Sequence, residues 1–114
     1  NGKVFFWAET GAFGAELWKT DATWTSTRLV KDIAAGKASF GPTFLTCVGT
    51  RLYFVGPWQD REVWQSNGKK ASQATNIWPG PQSADPTHLT AASGDLFFSA
   101  ADTNHGVELW AHIP

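Results

Sequence analysis

The sequence predicts an all-β fold built from repeated four-stranded antiparallel units, and three observations support that class. The same short motifs recur along the 114 residues at intervals of 44 to 48 residues. The apolar runs are short, rich in aromatic and β-branched residues, and bounded by Gly, Pro, Asn, Asp and Ser, as strands usually are. No segment shows sustained helical periodicity. A single repeat domain over residues 1–114 is therefore expected.

The repeat is defined by two motifs and by the segment between them. Glu-Leu-Trp or Glu-Val-Trp occurs at 16–18, 62–64 and 108–110, and a Gly- or Thr-initiated aromatic run occurs at 2–6, 50–54 and 94–98. Seven residues between the motifs recur at a constant offset of 44: Ile33, Gly36, Ser39, Pro42, Thr43, Leu45 and Thr46 match Ile77, Gly80, Ser83, Pro86, Thr87, Leu89 and Thr90. A constant offset over so many pairs indicates true units.

Each unit contains four predicted strands. The first follows a Pro, the second is the aromatic run, the third carries the Glu-Leu-Trp motif, and the fourth closes the unit. The predicted ranges are 43–48 and 87–92 for the first strand, 4–7, 52–55 and 96–100 for the second, and 28–33 and 73–77 for the fourth. The chain thus begins at a second strand and ends at a third, which gives ten strands grouped three, four and three.

A period near 45 residues fits a four-stranded β-propeller blade. Unit one is predicted at 1–42, unit two at 43–86 and a partial unit three at 87–114, about two and a half blades. Such a set cannot close a ring alone, and unpaired strand edges bind other strands. We therefore expect a homo-oligomer that completes the ring, neighbouring blades supplied by missing parent sequence, or an open form with its strand edges covered.

The motifs resemble the bacterial ELWxxDGT repeat family. The resemblance lies in residues 14–23 with 27–33, and again in 96–102 with 105–110. It implies tandem propeller blades in a secreted or cell-surface protein, and it implies no shared activity. Departures occur in the loops: Ala22 stands where the family has Gly, 24–26 replace a Gly-containing turn, and 66–69 read Ser-Asn-Gly-Lys.

Composition and motifs disfavour several functions. A net charge of −1 with Lys and Arg scattered along the sequence argues against a nucleic-acid groove. No apolar run approaches the roughly 20 residues of a membrane span. No triad order, phosphate loop or zinc spacing appears, so neither an enzyme nor a cofactor is predicted. Residues 102–106 could hold a cation but also form an ordinary turn, and no metal site is predicted.

The single cysteine allows no intrachain disulfide. Cys47 falls in the apolar run Leu45-Thr46-Cys47-Val48, which predicts a small buried thiol. A catalytic cysteine would need a neighbouring His in an electropositive setting, and the sequence shows none nearby.

Candidate binding residues are those that differ between units, because a residue present in every unit more often builds the scaffold. Glu16, Glu62 and Glu108 are expected to accept hydrogen bonds from turns, or else to contact a ligand once per unit; the motif tryptophans are expected to pack. The unmatched residues suit carbohydrate recognition, in which a ring face stacks on a sugar and polar groups bind its hydroxyls. They are Trp7, Trp24, Trp58 and Trp78, with Asp60 and Asn67.

These residues predict a non-catalytic binding module, lectin-like, with a glycan as the expected ligand. The same tryptophans could instead pack loops between neighbouring units, which would favour a structural or protein-interaction segment of a larger secreted propeller, or a fragment of one made to study assembly. A third interpretation is an incomplete enzyme domain with its catalytic residues elsewhere in a parent chain.

Overall fold

The computed structural model describes residues 2–34, 38–57, 61–80 and 82–114. This part of the chain contains ten strands and one 3-10 turn at Trp24–Ser26. The strands are β1 (Val4–Thr10), β2 (Gly14–Thr20), β3 (Arg28–Lys31), β4 (Thr43–Val48), β5 (Arg51–Gly56), β6 (Glu62–Ser66), β7 (Ala71–Gln73), β8 (Thr87–Ala92), β9 (Asp95–Ala101) and β10 (Val107–His112).

The strands form three antiparallel sheets in chain order. Sheet 1 is β1-β2-β3, sheet 2 is β4-β5-β6-β7, and sheet 3 is β8-β9-β10. The all-β prediction and the grouping of ten strands into three, four and three are confirmed. The two predicted first strands, 43–48 and 87–92, have the bounds observed.

The predicted fourth strands were wrong at their ends. In sheet 1 the strand stops at Lys31 instead of residue 33. In sheet 2 it spans Ala71–Gln73 instead of 73–77, because the chain leaves the ladder after Gln73. The next two backbone N–H groups, of Ala74 and Thr75, both donate to the Val63 carbonyl at 2.7 and 3.1 Å. This shared acceptor ends regular pairing while still satisfying buried backbone groups.

Neighbouring sheets pack face to face, and both junctions use the same strand positions. One face of sheet 1 carries the side chains of Phe5 and Leu17, and the equivalent face of sheet 2 carries those of Tyr53 and Val63. They meet the opposite face of the next sheet. The cores are Leu17, Val30, Phe40, Leu52, Phe54 and Ala71 at the first junction, and Val48, Tyr53, Val63, Ala84, Leu96, Phe98 and Ala100 at the second.

One pair of side chains at each junction is matched in size. Phe40 fills the first junction opposite Gly56, where an added Cβ would come within 2.3 Å of the Phe40 ring. At the second junction the equivalent linker residue is Ala84, and its carbonyl accepts the Ala101 N–H beside Ala100. Gly56 and Ala100 hold equivalent positions, each opposite the motif glutamate. Phe40, which is large, therefore faces a position with no side chain, whereas Ala84, which is small, faces the Ala100 methyl group.

The outer faces of sheets 1 and 3 remain open. Val4 on β1 is 57% exposed, while Leu52 and Leu96, its equivalents in the other sheets, are buried. Leu109 on β10 is 76% exposed, while its equivalents Leu17 and Val63 are fully buried. The open face of sheet 1 is thus equivalent to one of the two faces that meet at each internal junction, and the open face of sheet 3 is equivalent to the other.

The first strands of sheets 2 and 3 lie side by side. β4 contacts β8, and the Thr46 hydroxyl donates to the Leu89 carbonyl at 3.2 Å. Each strand is interrupted by a bulge at the same place, and Phe44 and His88 have positive φ values of 54° and 57°. The bulge interrupts the two-residue alternation of β4. Beyond the bulge Cys47 pairs with Leu52 and lines a pocket that is open to solvent. Cys47 is therefore exposed, and its prediction as a buried thiol was wrong.

All three sheets share the same two ends. At the lower end the chain turns through 21–27, 49–50, 67–70 and 93–94; at the upper end lie 11–13, 38–42, 82–86 and 102–106. Contacts across the junctions fix this alignment, since the Lys19 ammonium donates to the Gly68 carbonyl, and the Tyr53 and His112 rings meet edge to face at 5.5 Å.

Candidate functional site

The glutamates of the repeated motif hold the chain that follows the fourth strand. Glu16 and Glu62 are both buried. Glu16 Oε1 accepts the Ala34 N–H at 2.8 Å, and Glu62 Oε1 accepts the Trp78 N–H at 2.9 Å. The two donors occupy equivalent positions, so the bond is a repeated structural device. Glu108 is exposed in sheet 3.

Burial dominates the electrostatics of Glu16. It raises the pKa of the carboxyl group above its ordinary value of 4.5, more than the hydrogen bonds from the backbone of Ala34 and Ile33 lower it. The charge of Asp32 adds to the increase. A carboxylate used in this way stabilises a turn at the cost of its own hydration.

Two of the motif tryptophans pack between sheets, as their repetition predicts, and the third lies on the outer face of sheet 1. Trp64 lies edge to face against Phe40, with ring centroids 5.0 Å apart. Trp110 packs against the second core and donates its indole N–H to the Ala100 carbonyl at 3.1 Å. Trp18 is half-buried on the equivalent face of sheet 1.

The four predicted ligand-binding residues that the structure describes do not form one site. Trp7 lies on β1 at the first junction, 57% exposed, and Trp24 stands 91% exposed on the 3-10 turn at the lower end. Trp78 is half-buried at the upper end, where it packs against the second core. Asn67 is at the lower end. Trp58 and Asp60 fall outside the described residues.

The turn that displays Trp24 is held by one carboxylate. Asp21 Oδ1 accepts the Thr23 N–H at 3.1 Å, the Thr23 hydroxyl at 2.7 Å and the Ser26 hydroxyl. These bonds, led by those of Ser26 and Thr23, lower the pKa of Asp21 to about 2. Ala22, at the position where the repeat motif has Gly, adopts a φ of 75°.

Trp7 forms one wall of a cleft of 440 Å³ between sheets 1 and 2. The cleft is lined by Trp7, Glu9, Ala15, Ser39, Gly41, Pro42 and Thr43. Its polar groups are of the kinds that bind hydroxyls. Ser39 Oγ accepts the Ala15 N–H at 3.0 Å and keeps its own proton to donate, and Glu9 is exposed. Thr43 Oγ1 is buried and has no partner among the residues that the structure describes.

The second junction shows why the first one is open. Its equivalent of Trp7 is Val55, which is fully buried. The equivalents of Ala15 and Gly41 are Arg61 and Asp85, which form an ion pair at 2.8 Å across the same space. Ser83 accepts the Arg61 N–H at 3.1 Å, as Ser39 does from Ala15, so the backbone arrangement is retained. The cleft therefore results from smaller side chains at two positions.

Sequence reasoning found Trp7 but missed the rest of the cleft. Glu9 and Gly41 carry no motif, and Ser39 and Thr43 recur in unit two, which marked them as scaffold. The available signal was a difference between units, because an Arg and an Asp in unit two are replaced by Ala15 and Gly41 in unit one.

The loop at 102–106 forms a turn. Asp102 Oδ1 accepts the backbone N–H groups of Asn104 and His105, and Oδ2 lies 2.9 Å from His105 Nδ1. The interaction with His105 lowers the pKa of Asp102, and the same pairing raises that of His105. Among the described residues no three His, Cys, Asp or Glu side chains are grouped to hold a metal ion.

Comparisons with protein-family models, with curated proteins and with solved structures find no match for this chain. In the described ranges no helix is long and apolar enough to cross a membrane.

Proposed function

We propose that the chain is a non-catalytic binding module whose ligand is a carbohydrate, bound in the Trp7 cleft. The observation that carries the proposal is a tryptophan more than half exposed beside unused polar groups. Covering an exposed indole face with an apolar surface is favourable. A pyranose ring supplies a flat C–H surface for the indole, and its hydroxyls match the Glu9 carboxylate and the Ser39 and Thr43 hydroxyls lining the same cleft.

A glycan array followed by titration calorimetry tests the proposal. Trp7→Ala is expected to weaken binding of the selected glycan by at least about tenfold, since a buried aromatic contact contributes about 1–2 kcal/mol or more. Trp24→Ala is the matched control, because it removes an even more exposed tryptophan at the opposite end. Absence of any glycan binding by the folded chain would overturn the proposal, as would equal loss in both variants.

A second variant closes the cleft with the protein's own residues. Trp7→Val, Ala15→Arg and Gly41→Asp together reproduce the side chains of the second junction. Asp85 already adopts a φ of 47° at the position equivalent to Gly41, where φ is 67°, so the aspartate fits that backbone. This triple variant is expected to fold and to lose the glycan. Full binding by it would place the ligand elsewhere.

We also propose that each sheet is a blade of a β-propeller, in a secreted or cell-surface protein that the motif resemblance suggests. The face-to-face stacking of the sheets and the contact between the first strands β4 and β8 support this arrangement. The open faces of sheets 1 and 3 favour a second function, that of a structural or interaction segment. Binding of further units without any glycan binding would favour this second function over the first.

A further inference from the structure

Most of the positive charge of the chain is collected at the lower end. Lys and Arg are scattered in the sequence, but the fold brings six of the nine to this end: Lys3, Lys19, Arg28, Arg51, Lys69 and Lys70. Among the described residues the acids at this end are Asp21 and Asp95, whereas Glu9, Asp32, Asp85 and Asp102 lie toward the upper end. The lower end is therefore electropositive although the net charge is −1.

A pocket of 160 Å³ opens at this end, between sheets 1 and 2. Lys3 and Phe5 of β1 form one side, and Leu52 with the chain of the β4–β5 hairpin through Arg51 forms another. The Arg51 guanidinium itself donates to Gln65 Oε1 at 3.0 Å, on the face of sheet 2 that carries Tyr53. Asn67, from the turn before β7, also lines it. The pocket thus combines one cation, an amide and two apolar walls, which reduce the competition of water for a bound charge.

The Asn67 side chain is fixed by the turn that it caps. Its Oδ1 accepts the backbone N–H groups of Lys69 and Lys70 at 2.9 and 3.0 Å. The acceptor is therefore used by the turn, and the amide NH₂ is the group that Asn67 can offer a ligand. Lys19 is held close by, since its ammonium donates to the Gly68 carbonyl, and Gly68 packs beside Phe5.

One acid lies near the pocket. Asp21 Oδ2 is 3.8 Å from the Lys3 ammonium, and both side chains are largely exposed, so the pair is weak. The Asp21 carboxylate is also occupied by the hydroxyls of Thr23 and Ser26. Lys3 can therefore turn toward a stronger anion at little cost.

We propose that this pocket binds an oxyanion group, a sulfate, a phosphate or a carboxylate. Lys3 supplies the charge in the pocket, Lys19 adds a second charge beside it, and Asn67 supplies a directed hydrogen bond. The volume suits one such group and not a polymer groove. The site lies at the opposite end from the Trp7 cleft and does not depend on it.

Titration calorimetry of the full chain with inorganic sulfate, inorganic phosphate and acetate, each at low ionic strength, tests the proposal. Lys3→Gln is expected to weaken binding of the preferred anion about fivefold to tenfold. Asn67→Asp keeps the turn-capping oxygen but replaces the NH₂ donor with negative charge, so binding is expected to fall below detection. Lys31→Gln, at the other end of sheet 1, is the matched control and is expected to bind as the native chain does.

The outcomes separate the sources of the anion. Preference for sulfate or acetate indicates a sulfated or carboxylated ligand, and preference for phosphate indicates a phosphorylated one. Trp7→Ala is expected to leave anion binding unchanged, so this proposal and the glycan proposal fail separately. Equal weakening by Lys3→Gln and Lys31→Gln would show general charge screening and would overturn the site. Absence of binding by the native chain at tens of millimolar anion would do the same.

Discussion

At the scale of single residues, Phe40 and Gly56 show how tightly the junctions are fitted. The Phe40 ring occupies space that any side chain at position 56 would need. The sequence could not reveal this contact, because the two residues lie in different units and neither carries a motif. Comparing the units does show that Phe40 and Ala84 differ while Gly56 and Ala100 differ in the opposite sense. That compensation has meaning only once the sheets are stacked.

Gly56→Ala is expected to destabilise the fold by about 1–3 kcal/mol, the usual cost of overpacking a close-packed core. Urea unfolding followed by tryptophan fluorescence measures the effect. Gly11→Ala is the control, because a Cβ there meets nothing within 4 Å and it should change stability little. Phe40→Ala combined with Gly56→Ala should cost less than the sum of the two single changes, since loss of the ring removes the clash with the new methyl group and that methyl group fills part of the cavity left by the ring. Strict additivity would contradict the fitted pair.

At the scale of elements, prediction succeeded where local patterning decides the structure. The Leu-Thr strands at Thr43–Val48 and Thr87–Ala92 are bounded by Pro and Gly, and both bounds were predicted correctly. The end of the fourth strand in sheet 2 was misplaced because it depends on an acceptor in the neighbouring strand, the Val63 carbonyl. Cys47 was misplaced because the pocket that it lines between sheets 1 and 2 cannot be read from an apolar run. The cleft around Trp7 likewise arises from residues brought together across a junction.

Glu16, which binds the segment after β3, is expected to make the free energy of unfolding depend on pH. Burial raises the pKa of Glu16 in the folded chain, so the folded state holds a proton to higher pH than the unfolded state does. This carboxyl group therefore lowers the free energy of unfolding as the pH rises from about 4.5 to the folded pKa. Glu16→Gln keeps an oxygen for the Ala34 N–H and removes the ionisation.

Urea unfolding of Glu16→Gln and the native chain at pH 4 and pH 7 checks this expectation. The variant should gain stability relative to the native chain as the pH rises. Glu16→Ala, which leaves the Ala34 N–H without its acceptor, should lose about 1–3 kcal/mol at both values. If Glu16→Gln and the native chain differed by the same free energy of unfolding at pH 4 and pH 7, the raised pKa of Glu16 would be contradicted.

At the scale of the whole molecule, the described residues form a flat body of 47 × 33 × 18 Å with an apolar face open at each end of the stack. The repeat period predicted the stack of sheets. The separation of charge between the two ends could not be predicted, because scattered cations are gathered only when three hairpin ends are aligned. The blade and ring arrangement stays a proposal.

The open faces are expected to drive association of the native chain. Light scattering should give a mass above the 12.4 kDa of one chain, because Leu109 and Val4 gain apolar burial of the kind already present at the internal junctions. Leu109→Glu should return the mass to 12.4 kDa. Trp24→Glu, which adds the same charge away from these faces, should not. A native chain that remains monomeric would contradict the expectation.

The matched pairs at the junctions also restrict which unit could pack on the open face of sheet 1. Ala8 occupies the position of Gly56 and Ala100, opposite Glu16. Ala8 carries a methyl group, as Ala100 does. A linker with a phenylalanine at the place of Phe40 would therefore clash with Ala8, whereas a linker with a small residue, like Ala84, would fit. The units are therefore not interchangeable, because the residue opposite the motif glutamate in each unit limits the size of the linker residue that can pack against it.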